Sequence, residues 1–486
     1  MNMFVALSPA YSVRNEENAS FLTRVVTIID GNDDSFGTFC IPPFIGYILA
    51  HIGDEEYSKS IENISKVLGI SFDAIKNFTD QLIENSEKKE FKFSDTNSII
   101  LPAEVLISYT DKPNPSVYEE TNFNPLGEYA ECRPSVPLYA NFMVTTACTT
   151  DCLYCYANRT LNPILETDKI LEVIKELHDQ GTVNVMLTGG DILAHKDWTV
   201  ILRYARKYGY KPYLSTKTPI DKDKISLLKE LGYDEIQFSL DSCEPKVLSE
   251  LIKVDSNYLD RVLQFLRDCS ELNFNVLIRS VLTKRNASRQ QLTDLYYYLS
   301  QFDCVKEWDM TPAFFSKYKE GYYRSLEVDN DDLIYAYELS QRNDLAFKIV
   351  LNKISEDGYV LKKHEDVEEF VCRNQICMAN TTGISILANG NCSVCEMLYD
   401  TPEYILGNVK EKSIREIWNS EKALALYTMK QEEFPKTSPC SVCAVFKKCR
   451  NDFGKRVCYL DIAKSGYSKY DPDPRCPHAD DVNLIL

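Results

Sequence analysis

Histidine and long apolar runs are scarce in this sequence, and each shortage excludes a class of protein. The five histidines are spread over 486 residues without the spacing of a histidine metal site. No run is long and apolar enough to predict a transmembrane helix. Residues 1–7 contain no basic region, and their apolar run is too short for a signal peptide. We therefore expect a cytoplasmic protein without a membrane anchor.

Positive charge is also in deficit. The chain has 54 Lys and Arg residues against 72 Asp and Glu residues, a formal net charge of −18. Binding to nucleic acid requires a basic face that neutralises phosphates. Nucleic acid is therefore disfavoured as the main partner, and the acidic balance is interpreted as a contribution to solubility.

Cysteine, in contrast, is abundant, with seventeen residues. In a reducing compartment, clustered cysteines indicate metal binding or catalysis rather than disulfides. Cys148, Cys152 and Cys155 have three and then two residues between them, and they follow an apolar run at 138–144 that predicts a strand. Three thiolates leave one iron of a four-iron cluster open to an exogenous ligand. The alternatives are a zinc site or three unrelated buried cysteines.

Strand and helix patterns alternate between residues 137 and 330. Six βα units predict an α/β fold with a parallel sheet curled into a partial (β/α)6 TIM-like barrel. Its ligands would lie at the carboxyl ends of the strands. The predicted strands are 138–145, 182–188, 212–217, 235–241, 275–283 and 305–311, and the predicted helices are 167–179, 198–208, 222–231, 258–271 and 288–302.

Polar motifs follow these strands. Thr188-Gly189-Gly190-Asp191 offers two glycines, which allow close approach of the backbone to a ligand, and a carboxylate that can hold an ammonium group. The third and fourth strands end in Leu214-Ser215-Thr216-Lys217 and Phe238-Ser239-Leu240-Asp241-Ser242. Arg279 lies in an apolar strand and requires an anionic partner, either a ligand carboxylate or a structural aspartate.

The carboxyl-terminal third contains a second group of cysteines. Asn389-Gly390 lies between β-type runs at 383–388 and 391–395 and predicts a hairpin. The cysteines around and after this hairpin are Cys372, Cys377, Cys395, Cys440, Cys443, Cys449, Cys458 and Cys476. The spacing Cys440-x-x-Cys443 alone is also compatible with a zinc ribbon.

The first cysteine motif, with Tyr154 directly before its third cysteine, resembles that of the radical S-adenosylmethionine (SAM) enzymes. The resemblance implies that Cys148, Cys152 and Cys155 ligate a four-iron four-sulfur cluster whose open iron binds SAM. It also implies that Tyr154 lies near the adenine and that Gly189, Gly190 and Asp191 bind the amino group. Ser239 would bind the methionine carboxylate or the ribose, and Ser215, Asp241 and Arg279 are further candidates for the cofactor site.

The second group of cysteines resembles the SPASM domain, which holds two auxiliary four-iron clusters. The resemblance implies that Cys372, Cys377, Cys395 and Cys458 ligate the first auxiliary cluster. Cys440, Cys443, Cys449 and Cys476 would ligate the second. Eight residues separate Cys449 from Cys458, whereas the family usually has three between the corresponding cysteines. Phe453 therefore stands where the family pattern expects a cysteine. Cys392 is therefore an alternative ligand to Cys458.

Glu396 directly follows a proposed cluster ligand. Related sulfatase maturases carry an acidic residue there that acts as a base toward the substrate, which implies a catalytic role for Glu396. A carboxylate in a largely dry site has the raised pKa that a general base needs. The alternative is a solvated residue of the hairpin.

The amino-terminal part resembles the winged-helix leader-peptide recognition domain of peptide-modifying enzymes. Helices are predicted at 42–52, 55–68 and 71–87, followed by a two-stranded wing at 91–93 and 99–101. The alternative is a domain with only a packing role. We predict a recognition domain at 1–110, a linker at 111–136, the barrel at 137–330, a connecting region at 331–370 and the SPASM domain at 371–486.

The expected function is that of a radical SAM/SPASM maturase of a ribosomally made precursor peptide, which installs a crosslink or another modification. The expected partners are the precursor peptide with its leader and an electron donor such as flavodoxin or ferredoxin. The expected cofactors are SAM and three four-iron clusters. The alternatives are a formylglycine-forming sulfatase maturase, a small-molecule dehydrogenase and a non-catalytic iron–sulfur or zinc protein.

Overall fold

The computed structural model describes residues 3–25, 37–92, 98–314, 316, 318–358, 363–373, 377–398, 401–454 and 457–480. The chain divides into two compact units, one formed by residues 1–139 with 178–184 and the other by residues 140–177 with 185–486. Within these described ranges, no helix is both long enough and apolar enough to cross a membrane.

The first unit contains eight strands and three helices among its described residues. In chain order they are β1 (Phe4–Leu7), β2 (Tyr11–Asn15), β3 (Ser20–Arg24), β4 (Thr38–Ile41), α1 (Pro43–His51), α2 (Tyr57–Leu68), α3 (Phe72–Asp80), β5 (Lys89–Lys92), β6 (Ser98–Leu101), β7 (Leu106–Tyr109) and β8 (Ser116–Glu119). The strands form a four-stranded sheet in the order β4-β3-β2-β8 and two two-stranded sheets, β1-β7 and β5-β6.

The helices of the first unit follow from local sequence signals. The α2 helix buries Ile61, Ile64 and Leu68 on one face and ends at Gly69, whose φ of +67° favours glycine. Ser71 caps α3 by accepting a hydrogen bond from the amide of Ala74. The predicted helix 71–87 ends early, at Asp80, because the backbone beyond it pairs with Leu106 instead.

Two other predictions for the first unit meet a mixed outcome. The two strands predicted at 91–93 and 99–101 form the antiparallel pair β5-β6, although residue 93 lies outside the described residues. The predicted linker 111–136 is wrong at Ser116–Glu119, which form β8 and pair in parallel with β2. The compact unit accordingly extends past residue 110 to Tyr139.

A buried arginine joins distant parts of the first unit. Arg14, 1% exposed, forms ion pairs with Glu16 and with Glu120, the latter at 2.8 Å. Its guanidinium also donates to the carbonyl oxygen of Gln180 at 2.5 Å and lies 4.2 Å from the centre of the Tyr118 ring. One residue therefore ties β2 to the segment after β8 and to the 178–184 segment.

Replacing Arg14 by Met should destabilise this unit by about 3–5 kcal/mol, because the carboxylates of Glu16 and Glu120 lose their buried counter-charge. Hydrogen exchange followed by mass spectrometry on the whole chain would show faster exchange in peptides from β2 and β8. The surface pair of Lys59 with Glu55 provides the control, and Lys59→Met should leave the same peptides unchanged. Equal exchange in Arg14→Met and the wild type would contradict this account.

The second unit contains the predicted α/β alternation. After β9 (Tyr139–Thr145) its elements are α4 (Thr167–Asp179), β10 (Asn184–Gly189), α5 (Trp198–Lys207), β11 (Ser215–Thr216), α6 (Lys222–Glu230), β12 (Glu235–Ser239), α7 (Pro245–Ile252), α8 (Tyr258–Glu271), β13 (Asn275–Leu282), α9 (Arg289–Leu299), β14 (Val305–Pro312), α10 (Glu320–Leu326), α11 (Asn330–Ser340) and β15 (Lys348–Leu351). Amphipathic helices pack on these strands through one continuous apolar core.

The carboxyl-terminal part of the second unit consists of short elements. They are α12 (Val367–Arg373), β16 (Gly383–Ile386), β17 (Asn391–Ser393), β18 (Ile405–Asn408), α13 (Ile414–Trp418), α14 (Glu421–Tyr427), α15 (Phe446–Arg450) and α16 (Tyr459–Lys464). The predicted Asn389-Gly390 hairpin is confirmed, because β16 and β17 pair antiparallel and Gly390 has a φ of +92°.

The six predicted barrel strands fall into two five-stranded sheets. Strands β11 to β15 are all parallel and lie in chain order. Strands β9 and β10 belong to the other sheet, in the order β10-β9-β16-β17-β18. Thus β10 and β11 are edge strands of different sheets, and the simple six-stranded arrangement is corrected to two sheets. Strand β9, the first of the six predicted strands, lies next to β16 of the carboxyl-terminal hairpin.

Three details of the second unit differ from prediction. The third strand shrinks from 212–217 to Ser215–Thr216, because Pro212 lacks an amide hydrogen and β11 has one neighbour in its sheet. The connecting region 331–370 contains β15, which extends the parallel sheet beyond β14. The α7 helix was not predicted, since it directly follows the Asp241-Ser242 motif and is only eight residues long.

Candidate functional site

The loop with Cys148, Cys152 and Cys155 follows β9 and is held mainly through its backbone. The amides of Asp151 and Leu153 donate to the carbonyl oxygens of Ile252 and Leu251, at 3.1 and 2.9 Å. These carbonyls end α7, where they have no partner within the helix. The carbonyl oxygens of Thr150 and Cys155 accept hydrogen bonds from Arg159 (2.6 Å) and Ser316 (2.8 Å).

The three predicted ligands lie together in this loop. The hydroxyl oxygen of Thr150 lies 3.4 Å from the sulfur atoms of both Cys148 and Cys152. The Cys155 thiol interacts electrostatically with those of Cys148 and Cys152. Burial, opposed by the positive charge of Lys217, raises the pKa of Cys152 to about 11. A metal that binds here must therefore displace protons from the thiols.

The two glycines of the Gly-Gly motif pack against the cysteine loop itself. A Cβ atom on Gly189 would lie 2.4 Å from the carbonyl oxygen of Thr145, and one on Gly190 would lie 2.2 Å from that of Ala147. The amide of Gly190 also donates to the Thr145 carbonyl oxygen at 2.9 Å. Glycine is thus required at both positions because two segments of the protein pack closely against each other, independently of any ligand.

The Asp191 carboxylate is engaged within the protein. It accepts hydrogen bonds from the Thr216 hydroxyl (2.6 Å), the Thr218 hydroxyl (2.9 Å) and the Leu193 amide (3.0 Å). The residue is 4% exposed, and burial raises the pKa of its carboxyl group. Asp191 therefore joins the loop after β10 to the loop after β11.

Tyr154 and Asp241 meet in a second buried network. The Tyr154 hydroxyl donates to a carboxylate oxygen of Asp241, which also accepts from the ammonium group of Lys217 at 3.0 Å. The other oxygen of Asp241 accepts from the amide of Val281 at 2.9 Å. Asp241 was predicted as a candidate for the cofactor site, and the structure shows it as the acceptor in this network.

Ser215 and Ser239 lie on neighbouring strands and are joined by a residue that the sequence analysis did not identify. The Ser215 hydroxyl donates to the side-chain oxygen of Gln237, and the side-chain amide of Gln237 donates to the Ser239 hydroxyl at 2.8 Å. Gln237 is 1% exposed. The period-two alternation of β12 places Gln237 and Ser239 on one face, which was the available signal.

Arg279 has a structural aspartate as its partner. Its guanidinium donates twice to the same carboxylate oxygen of Asp309 on β14, once at 2.8 Å. The other oxygen of Asp309 accepts from Asn352, which follows β15. The Arg279 side chain is 42% exposed, whereas that of Asp309 is 5% exposed. Of the two partners considered from the sequence, the structure shows the aspartate, and the exposed part of the guanidinium is accessible to a ligand.

Glu396 lies beyond the hairpin strand, at the start of a short 3-10 helical turn, Glu396–Leu398. Its carboxylate accepts a hydrogen bond from Asn141 on β9, and Asn141 accepts one from Thr188 on β10 at 3.0 Å. Burial raises the pKa of Glu396, opposed by the hydrogen bond from Asn141. Adjacent strands of the sheet thus fix the direction of this side chain.

Tyr156, next to Cys155, connects the cysteine loop with Glu396. The negative charge of Glu396 is the main cause that raises the pKa of Tyr156, ahead of burial, while Arg279 lowers it. Its side chain is 38% exposed. Tyr156 therefore lies among the cysteine loop, Glu396 and Arg279, a position that the cysteine spacing alone did not indicate.

Four predicted ligands of the second auxiliary cluster line one cavity. Cys440, Cys443, Cys449 and Cys476 surround it together with apolar side chains such as Phe446. Burial raises the pKa of Cys449 to about 12 and that of Cys476 to about 11.

Arg450 supports this cavity and was not identified from the sequence. It is 1% exposed, its guanidinium lies 3.6 Å from the sulfur of Cys440, and it donates to the carbonyl oxygens of Lys469 and Asp471. Its buried Nε has no hydrogen-bond partner among the described residues. A donor set of four thiols with an unsatisfied cationic N–H beside it fits an anionic sulfur cluster.

The first auxiliary set is only partly assembled. Cys377 interacts electrostatically with both Cys395 and Cys458, which burial keeps protonated by raising their pKa values. The amide of Cys458 donates to Asp473 at 2.8 Å. Cys372 is exposed, and its sulfur lies 3.8 Å from the ammonium group of Lys448. Cys392 is fully buried in the apolar core.

The described part of the chain contains no group of three His, Cys, Asp or Glu side chains placed to hold a single metal ion. The thiols are instead grouped as a loop of three, a cavity lined by four and a set around Cys377. Thiolates that are not placed to hold one metal ion can still ligate the separate iron atoms of an iron–sulfur cluster.

Comparison with known proteins identifies two domains. Residues 142–291 match the family model of the Radical SAM superfamily, and residues 377–444 match that of SPASM, an iron-sulfur cluster-binding domain. GTP 3',8-cyclase of Nautilia profundicola is 26% identical over 302 residues, 59% of this chain and 86% of the relative. Fe-coproporphyrin III synthase of Methanosarcina barkeri is 24% identical over 369 residues, 67% of this chain and 88% of the relative.

A solved structure has a similar fold along nearly the whole chain. The crystal structure of Streptococcus suis SuiB bound to its precursor peptide SuiA covers 98% of this chain and 100% of its own, with a TM-score of 0.62. The sequence identity is 14%, so the likeness concerns the fold.

Replacing Gly190 by Ala should displace the cysteine loop, because the new Cβ atom would overlap the carbonyl oxygen of Ala147. After anaerobic reconstitution, the variant should contain about four fewer irons per chain than the wild type. Gly321→Ala is the matched control, since a Cβ atom there has no neighbour within 4 Å. Full iron content in Gly190→Ala would show that the loop tolerates the shift.

Proposed function

We propose that this chain, a radical SAM enzyme with a SPASM iron–sulfur cluster-binding domain, modifies a ribosomally made precursor peptide. The observation that carries the proposal is the convergence of two cysteine sites near one carboxylate. Tyr156, adjacent to Cys155, and Cys395, adjacent to Glu396, both interact electrostatically with Glu396. A radical formed at the first site would then act beside a base held at the second.

Three four-iron clusters complete the proposed enzyme. Cys148, Cys152 and Cys155 would hold the first, and Cys440, Cys443, Cys449 and Cys476 the second auxiliary cluster. Cys377, Cys395 and Cys458 would hold the first auxiliary cluster together with Cys372. The electrostatic interaction of Cys458 with Cys377 favours Cys458 over the core residue Cys392 as a ligand. When bound and reduced, the first cluster and SAM supply a 5'-deoxyadenosyl radical.

The residues of the chain orient the substrate and handle the proton. Glu396 is aimed by Asn141, itself fixed by Thr188, so its carboxylate has a defined direction. Its raised pKa increases its basicity toward a proton released when a substrate radical is oxidised. The half-exposed guanidinium of Arg279, anchored by Asp309, is positioned to bind a carboxylate of SAM or of the substrate.

A peptide is the substrate class best supported. SuiB, whose fold is similar along the whole chain, is bound in its crystal to precursor peptide SuiA. The first unit contains three helices and the β5-β6 pair, and its β4 and β8 strands are sheet edges that a leader peptide would extend. An external donor such as flavodoxin or ferredoxin would supply the electrons.

A small-molecule substrate is the second candidate. It is favoured by the curated relatives, which are described as GTP 3',8-cyclase and Fe-coproporphyrin III synthase. Their identities are 24–26%, and they cover 59% and 67% of this chain, so part of the chain is unmatched. The peptide proposal accounts for a first unit of about 140 residues that no radical chemistry requires.

The function is tested by incubating the reduced, reconstituted protein with SAM and synthetic peptides translated from any short reading frames that neighbour its gene. We expect 5'-deoxyadenosine and a change in peptide mass in equal amounts. The triple variant of Cys148, Cys152 and Cys155 to Ala should form neither, yet keep its auxiliary iron. SAM cleavage by the triple variant would remove the catalytic proposal. Cleavage stimulated by GTP or a porphyrin, and not by the peptide, would favour the second candidate.

Replacing Glu396 by Gln removes the base but preserves size and one hydrogen-bonding oxygen. We expect normal transfer of deuterium from labelled peptide into 5'-deoxyadenosine, with product reduced by roughly a hundredfold, the usual scale of general-base loss. Glu403, exposed on a neighbouring turn, provides the control, and Glu403→Gln should behave as the wild type. Unchanged product yield in Glu396→Gln would make Glu396 a bystander.

A further inference from the structure

A lysine ammonium group lies beside the cysteine loop. Lys217 directly follows β11, and its side chain is 14% exposed. Its nitrogen donates to Asp241 at 3.0 Å and lies 5.5 Å from the centre of the ring of Tyr154. Tyr154 lies between Cys152 and Cys155 in the sequence. The positive charge of Lys217 acts electrostatically on the thiols of Cys148 and Cys152. A cation is therefore built into the protein side of the proposed cluster site.

The backbone around Lys217 is fixed on both sides. The hydroxyls of Thr216 and Thr218 both donate to Asp191, at 2.6 and 2.9 Å. The hydroxyl of Tyr258 donates to the carbonyl oxygen of Lys217 at 2.7 Å. The Thr218 hydroxyl also lies 2.5 Å from that of Thr149, within the cysteine loop. The backbone that carries Lys217 is therefore anchored to Asp191, Tyr258 and the cysteine loop, and its ammonium group is held by Asp241.

The carboxylate of Asp241, the partner of Lys217, accepts hydrogen bonds at both of its oxygens. The Asp241 side chain is 0% exposed and accepts from Tyr154, Lys217 and the amide of Val281. Burial of a charged pair is costly unless its geometry and remaining hydrogen bonds are satisfied. Here both oxygens of Asp241 accept hydrogen bonds. The ion pair of Asp241 with Lys217 therefore also holds Tyr154 in place, because the Tyr154 hydroxyl donates to Asp241.

Charge next to an iron–sulfur cluster changes its reduction potential. Reduction adds one negative charge to the cluster, and a fixed cation in a poorly solvated site stabilises that charge. The Lys217 nitrogen lies 5.5 Å from the centre of the ring of Tyr154, the residue directly before Cys155, so its positive charge acts within the cysteine loop.

We propose that Lys217 is a positioning residue of the radical-forming site, which favours the reduced cluster electrostatically and orients Tyr154 through Asp241. The inference rests on the proposed function, because it requires a cluster on Cys148, Cys152 and Cys155. The sequence located Lys217 at the end of the third predicted strand but indicated no function for it, whereas the contacts with Asp241 and the Tyr154 ring indicate this role.

The proposal is tested by redox titration of the reconstituted full chain, monitored by electron paramagnetic resonance. The signal that changes when SAM is added identifies the cluster in question, and the other signals serve as internal references. In Lys217→Met the equilibrium constant for reduction of this cluster should fall at least tenfold, which is about 59 mV for a one-electron couple. Lys217→Arg keeps the charge and should restore most of the difference.

A surface lysine from the preceding loop provides the matched control. Lys211 pairs with Asp234 at 2.7 Å, and the Asp234 side chain is 68% exposed, so solvent screens the pair and Lys211→Met should leave every potential unchanged. If Lys217→Met does not retain its clusters, Lys217→Gln, which preserves the hydrogen bond to Asp241, is titrated instead with the same expectation.

The outcomes separate this inference from the function on which it rests. A wild-type protein without a SAM-responsive signal would contradict the proposed function. A responsive signal with the same potential in wild type and Lys217→Met, or an equal fall in Lys217→Met and Lys217→Arg, would overturn only the role of the lysine charge. A fall in Lys217→Met with recovery in Lys217→Arg supports it.

Discussion

Backbone contacts fix the course of the loop with Cys148, Cys152 and Cys155, and the rest of the site depends on that course. The carbonyl end of α7 accepts two of its amides, and the Gly189-Gly190 backbone packs directly on the chain before it. Both contacts require a specific conformation of a neighbouring segment. A helix end and a pair of glycines hold the loop between them, and this conformation brings the three thiols together.

Buried charges around this loop are satisfied within the protein before any ligand binds. Asp191 binds two threonines, Asp241 binds Tyr154 and Lys217, and Asp309 binds Arg279. An unpaired carboxylate at these depths would be strongly destabilising, so each is matched by donors from adjacent strands. The networks also make the strand ends rigid, which is what a site that controls a reactive radical requires.

The cysteine-rich end of the chain extends the sheet that contains β9 and β10. Strand β16 lies next to β9, so the hairpin that precedes Cys395 and the strand that precedes Cys148 share one set of backbone hydrogen bonds. Asn141 on β9 then fixes the carboxylate of Glu396. The distance between the two cysteine sites is therefore set by strand pairing, which is stiff, rather than by a flexible connection.

The sequence by itself determined the α/β alternation, the hairpin at Asn389-Gly390 and the cysteine groups, because periodicity, turn residues and spacing are local properties. Only the tertiary structure decided the partners of Arg279 and Asp241, the strand β15, the division into two sheets and the positions of Lys217, Gln237, Tyr156 and Arg450. These depend on contacts between residues far apart in the chain, and a side chain's role is fixed by the charges that packing brings to it. Asp241 illustrates the difference, since its motif indicated a polar strand end and only folding gave it a lysine and a tyrosine.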